Sequence, residues 1–198
     1  MIGNDIICIA ASDVSGVFRN PRYLDKIYGP AEQELILSSP NPGLSHWTCW
    51  ALKESAYKVW VKHSRTRLFA PKRFVVSALT PKVGIEVETP AGIVYARVVI
   101  QNNYISAVAS SENSRLQQLY TGIGQFPKTK NPSVAVRQHL FAHLKKLFPF
   151  SSIENFVLLK SKEGIPRLYI RGIKQVFDLS LSHHGHFVSH AFTMESYD

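Results

Sequence analysis

Residues 2–10 (IGNDIICIA) form an apolar run interrupted by one acid, Asp5, the pattern of a mostly buried strand. A helical pattern follows at 31–37, opened by Gly29-Pro30, and Pro40, Pro42 and Gly43 then break the chain. Ser45 is the expected N-cap of a longer helix over 46–61. Strand-rich segments come next at 74–79, 83–88, 93–101 and 104–109. Thr89-Pro90-Ala91-Gly92 turns between the middle two, and Asn102-Asn103 turns before the last. Residues 110–132 carry Ser, Asn, Gly, Pro and Lys with no strong period. After Asn131-Pro132-Ser133 a second helix is expected to reach Phe148, with Val136, Leu140, Leu144 and Leu147 on one face. Strands are expected at 153–160, 167–170, 177–182 and 187–192, with Gly164-Ile165-Pro166 turning between the first two. Helix followed by antiparallel strands therefore occurs twice. The expected class is α+β with two similar lobes, 1–113 and 133–198, joined by a linker at 114–132.

Composition narrows the picture. With 198 residues, 45% of them hydrophobic, and 11 Phe, 8 Tyr and 3 Trp, the chain is not disordered. The longest apolar run, 6–11, is far too short to span a membrane, and no basic stretch precedes an apolar core as in a signal peptide. Cys8 and Cys49 sit in apolar segments and read as reduced thiols, which makes the cytoplasm the expected compartment. The net charge of +9 favours a polyanionic partner: nucleic acid, a phosphorylated small molecule or an acidic protein. A nucleic-acid-binding module using Lys62, Arg65, Arg67, Lys72 and Arg73 is one reading, but no recognition element accompanies them. No GxGxxG or Walker-type loop is present.

Chemistry is expected where acids stand in apolar surroundings. On a helical wheel Glu54 lies amid Trp47, Trp50, Ala51, Tyr57 and Val61, in the middle of the face expected to be buried. A lone carboxylate there costs several kcal/mol unless a cation meets it. Lys58, one turn on, offers an ordinary i, i+4 pair. Asp5 is either a strand-end turn residue or a second acid sharing a hard divalent cation with Glu54. No Cys/His spacing points to zinc. In Ser180-Leu181-Ser182-His183-His184-Gly185-His186 the histidines fit a metal cluster, a phosphate contact at His183, or hairpin-edge polar residues.

These motifs, in this order, resemble the 4′-phosphopantetheinyl transferases. Gly3-Asn4-Asp5-Ile6 is similar to their Gly-x-Asp strand. Arg22-Tyr23-Leu24-Asp25-Lys26-Ile27 with Pro30-Ala31-Glu32 is similar to a segment of holo-acyl-carrier-protein synthases. Trp50-Ala51-Leu52-Lys53-Glu54-Ser55-Ala56-Tyr57-Lys58 matches the Lys-Glu signature, the most specific of the set. Gly164-Ile165-Pro166 followed by Ser180-Leu181-Ser182-His183 matches the Gly-x-Pro and Ser-x-Ser-His pair. Two departures matter. Ile7 stands where larger members carry a further acid, leaving Asp5 and Glu54 as protein ligands for Mg²⁺, and Ile165 replaces a frequent Lys, with Arg167 near enough to substitute.

The resemblance implies transfer of 4′-phosphopantetheine from coenzyme A to a serine of an acidic acyl or peptidyl carrier protein, releasing adenosine 3′,5′-bisphosphate. It implies catalytic roles for Glu54 and Lys58, and coenzyme contacts from Ser182, His183, Arg22 and Arg167. The Ser-His half follows the Lys-Glu half, the reverse of two-lobed members, so a monomeric pseudo-dimer with permuted lobe order is expected, with neither nucleic acid nor membrane as partner. The alternatives are a small-synthase fold with a long insertion that must trimerise, and a non-catalytic scaffold that binds carrier protein.

Overall fold

A computed structural model describes residues 1–12, 16–79, 83–175 and 177–194. The first half holds β1 (Ile2–Cys8), α1 (Pro21–Ile27), α2 (Pro30–Leu37), α3 (Pro42–Ser64), β2 (Val75–Val76), β3 (Val83–Thr89), β4 (Gly92–Ile100) and β5 (Tyr104–Ser110). The second half holds β6 (Tyr120–Gln125), α4 (Pro132–Leu147), β7 (Phe156–Lys160), β8 (Pro166–Ile170), β9 (Ile173–Lys174), β10 (Asp178–His184) and β11 (Phe187–Thr193). The class is α+β, with antiparallel pairing throughout three sheets, ordered β1-β5-β4-β3-β2, β10-β11-β6 and β7-β8-β9.

Three elements depart from the expectations. Helix α3 starts at Pro42, one turn before Ser45: Asn41 caps it by accepting the Leu44 amide hydrogen, and Ser45 instead bonds the Ser39 hydroxyl. Proline at the first helical position lacks only an amide hydrogen that would be orphaned anyway, so Pro42 opens the helix rather than breaking the chain. Helix α1 is an element that periodicity did not reveal; Asn20 caps it through the Arg22 and Tyr23 amides, and Pro21 again leads. Within 114–132, expected to be linker, residues Tyr120–Gln125 pair with β11 as strand β6. Its sequence, YTGIGQ, lacks apolar alternation because Gly122 and Gly124 leave room for the His190 and His139 rings.

Two cores form. Leu52, Ala56 and Val59 of α3 belong to the cluster that includes Ala96, Ile105 and Ala107 of the large sheet. Leu140 and Leu144 of α4 cluster with Phe156, Leu158, Leu168, Leu179 and Phe192. The fully buried stripe of α3 runs through Cys49, Leu52, Ala56 and Val59, roughly opposite Glu54. The expectation that the Glu54 face is buried is therefore corrected in part: Ala51 and Val61 on that face are buried in the same core, but the rest of the face is not. Glu54, Trp47, Trp50 and Tyr57 are only half-buried, because the helix packs against β1, β5, β4 and α2, and the core takes its other sides.

What joins the halves is a side-chain ladder. The outward amides of β1, from Ile2, Asn4, Ile6 and Cys8, donate to Asp178 Oδ2, Ser180 Oγ, Ser182 Oγ and His184 Nδ1 of β10. The distances are 2.6, 3.0, 3.3 and 2.9 Å. Both sets advance by two residues and in the same direction, so the polar face of β10 satisfies the amides that β5 cannot reach. Lys62 adds a staple from α3: its buried Nζ donates to the Ile2 carbonyl at 2.7 Å, the Leu179 carbonyl at 2.8 Å and the Asp178 carboxylate.

Candidate functional site

The site begins with a close approach. A Cβ on Gly3 would overlap the Ser55 carbonyl oxygen and touch Lys58 Cβ at 3.0 Å, so glycine is what lets α3 lie directly on β1. Two residues on, Asp5 points to the same side of β1 and meets the next turn of α3. Lys58 Nζ stands 3.2 Å from Asp5 Oδ1 and donates to the Asn4 carbonyl at 2.6 Å. From the second half, Ser182 Oγ donates to Asp5 Oδ1 at 2.7 Å while accepting the Ile6 amide. Asp5 is thus held from both halves of the chain.

The Glu54 carboxyl, one turn before Lys58, makes no hydrogen bond among the described residues. Burial raises its carboxyl to a pKa of about 7, helped by the negative charge of Asp5 and opposed by Lys58. That places it near half-ionised at neutral pH, where a carboxyl group works well as a general base. Asp5, Lys58, Ser182 and His183 line one cavity of about 270 Å³. The His183 ring has its pKa lowered by burial and by the charges of Lys58 and Lys160, so it stands neutral there.

Three residues that sequence reasoning missed line the same cavity: Ser133 and Arg137 from the start of α4, and Lys160 at the end of β7. Polar side chains on an exposed first turn carry no periodic signal; the Asn131 cap, which orients that turn, was the only hint. Along α3 a second cavity of about 250 Å³ opens between Tyr57, Val61, Ile165, Pro166 and Leu181, and it shares Lys58 and Lys160 with the first. Arg22 and Arg167 are not brought to these residues. Arg22 is exposed on α1, and Arg167 opens onto a different groove.

The four histidines between 183 and 190 separate. His184 accepts the Cys8 amide, His186 Nδ1 lies 3.6 Å from Cys8 Sγ, and His190 meets His139 and His143. Among the described residues no group of three or more His, Cys, Asp or Glu side chains forms a ready metal cage. The donor set at Asp5 and Glu54 is two carboxylates, and Glu54 resists ionisation through burial first and the charge of Asp5 second. That suits a hard divalent cation whose remaining positions are filled by water and phosphate oxygens, and it does not suit zinc.

Residues 1–109 match the family model of the 4′-phosphopantetheinyl transferase superfamily. No curated protein matches the chain. Among the described residues no helix is long and apolar enough to cross a membrane.

Proposed function

Because the chain belongs to the 4′-phosphopantetheinyl transferase superfamily, we propose that it transfers 4′-phosphopantetheine from coenzyme A to a serine hydroxyl of an acyl or peptidyl carrier protein. The observation that carries this reading is the meeting of Asp5 and Lys58 with Ser182 and His183 around one cationic hollow, with Glu54 electrostatically coupled to Asp5 and Lys58 behind them. The halves then act as two lobes of a pseudo-dimer in one chain, with the reaction between them.

Coenzyme A would lie with its phosphates toward Lys58, Arg137, Lys160 and His183, which supply the positive charge and hydrogen bonds that a diphosphate and a 3′-phosphate need. The carrier serine attacks the β-phosphorus. Its oxygen–phosphorus bond forms as the bond to the bridging oxygen breaks, and adenosine 3′,5′-bisphosphate leaves with that oxygen. Glu54, directly or through a bound water, accepts the serine proton. Lys58 faces the charge that builds on the leaving phosphate, and Ser182 keeps the Asp5 carboxylate oriented. Mg²⁺ bound by Asp5 and Glu54 would supply neutralisation of the diphosphate charge.

The test is mass spectrometry of an apo carrier protein after incubation with coenzyme A, Mg²⁺ and the protein. The phosphopantetheine mass increase is expected with wild type and absent with Glu54→Gln. A Glu54→Gln variant that transfers at the wild-type rate would overturn the assignment.

A further inference from the structure

Among the described residues, one face of the β7-β8-β9 sheet is largely exposed. Its inner side, with Phe156, Leu158 and Leu168, is buried in the α4 core. On the outer side the register sets Val157 opposite Tyr169, Leu159 opposite Arg167, and Tyr169 opposite Lys174, and directly opposed residues share a side. Val157 and Leu159 are 44% and 52% exposed. The three strands contain no acid. Arg167 and Lys174 continue into a groove of about 790 Å³ whose far wall carries Arg65, at the end of α3. The acids of that groove are already paired within it, Glu112 with Arg115 and Asp178 with Lys62. Arg65, Arg167 and Lys174 make no salt bridge among the described residues.

We propose that this outer face and its groove are the docking surface for the acidic carrier protein, an inference that rests on the function proposed above. The chemistry is that of an amphipathic acidic helix: an apolar centre for Val157, Leu159 and Tyr169, and carboxylates for the three cations. A second copy of this chain is disfavoured because it would bring another +9 molecule against a cationic face. Nucleic acid would leave the apolar centre unused. The face also leads to the site. Ile165 and Pro166 border both the groove and the cavity along α3, and Lys58 and Lys160 border both that cavity and the one holding Asp5.

The experiment measures binding of a fluorescently labelled apo acyl carrier protein by anisotropy, and steady-state transfer, for wild type, Arg65→Glu/Lys174→Glu and Leu159→Asp. These positions are exposed, so the variants should fold, and near-ultraviolet circular dichroism verifies it. Carrier Kd and carrier KM are expected to rise by at least about tenfold, while kcat and the KM for coenzyme A hold. Wild-type carrier affinity in the variants overturns the proposal. So does a wild type that ignores the carrier, or one whose cationic face retains only a DNA duplex. If wild type binds the carrier, the variants do not, and no transfer occurs, docking stands and the transferase reading fails instead.

Discussion

Glu54 carries the sharpest consequence of a single side chain. Its pKa is raised from 4.5 to about 7, so the folded protein holds this proton more tightly than the unfolded chain does. Its contribution to stability is therefore fully present below pH 4.5 and is lost as pH rises through 7. Glu54→Gln removes that loss: without added metal it should melt above wild type beyond pH 7, and the gap should vanish toward pH 4.5. The same substitution should cut transfer by about 10²-fold or more, and the wild-type kcat/KM should fall on the acid side as Glu54 is protonated. Thermal melts across pH and the pH–rate profile measure both. Asp5, Glu54 and Lys58 were legible as residues because acids in apolar surroundings demand partners. Arg137 and Lys160 were not, since a cation on an exposed turn is ordinary until the fold aims it at a cavity.

At the scale of elements, the β1–α3 contact sets Lys58 against Asp5. Gly3→Ala would drive a methyl into the Ser55 carbonyl, pushing α3 off the strand. A loss of about 1–3 kcal/mol is expected by urea denaturation, with a larger proportional loss of transfer, because Lys58 and Glu54 move together. The β10 alternation explains the two serines of its Ser-x-Ser-His motif: Ser180 and Ser182, and His184 just beyond the motif, each accept an amide of β1. Asp178→Ala would leave Lys62 buried without its counter-ion and the Ile2 amide without its acceptor. It should cost about 3–5 kcal/mol in the same assay. Most helices and strands were foreseen from period and turn residues. Strand β6 was not, since glycines placed beneath histidine rings erase the alternation that marks a strand.

For the molecule as a whole, acid is the expected weakness. His190 is fully buried between His139 and His143, with ring nitrogens 3.2 and 2.8 Å apart. Burial, and then the two neighbouring rings, lower its pKa from 6.5 to about 3; burial likewise lowers the pKa of His139 and His143, with Lys146 adding to both. The unfolded chain therefore takes up these protons first, so stability is fully present above pH 6.5 and is lost as pH falls toward 3. His190→Gln can bond both neighbours without titrating and should show a shallower decline in melting temperature across that window.

By itself the sequence determined the α+β class, most of the elements and the acids that needed a partner. These follow from local period, turn chemistry and the cost of leaving charge in apolar surroundings, all of which act within a few residues. Only the tertiary structure decided that Glu54 lies off the fully buried stripe of α3, that Ser182 holds Asp5, and that Arg137 lines the Asp5 cavity while Arg167 lines a different groove. Those outcomes depend on which surfaces of α3 the sheet covers and on how β10 meets β1. Contacts between residues some 176 positions apart leave no trace in the spacing of either segment.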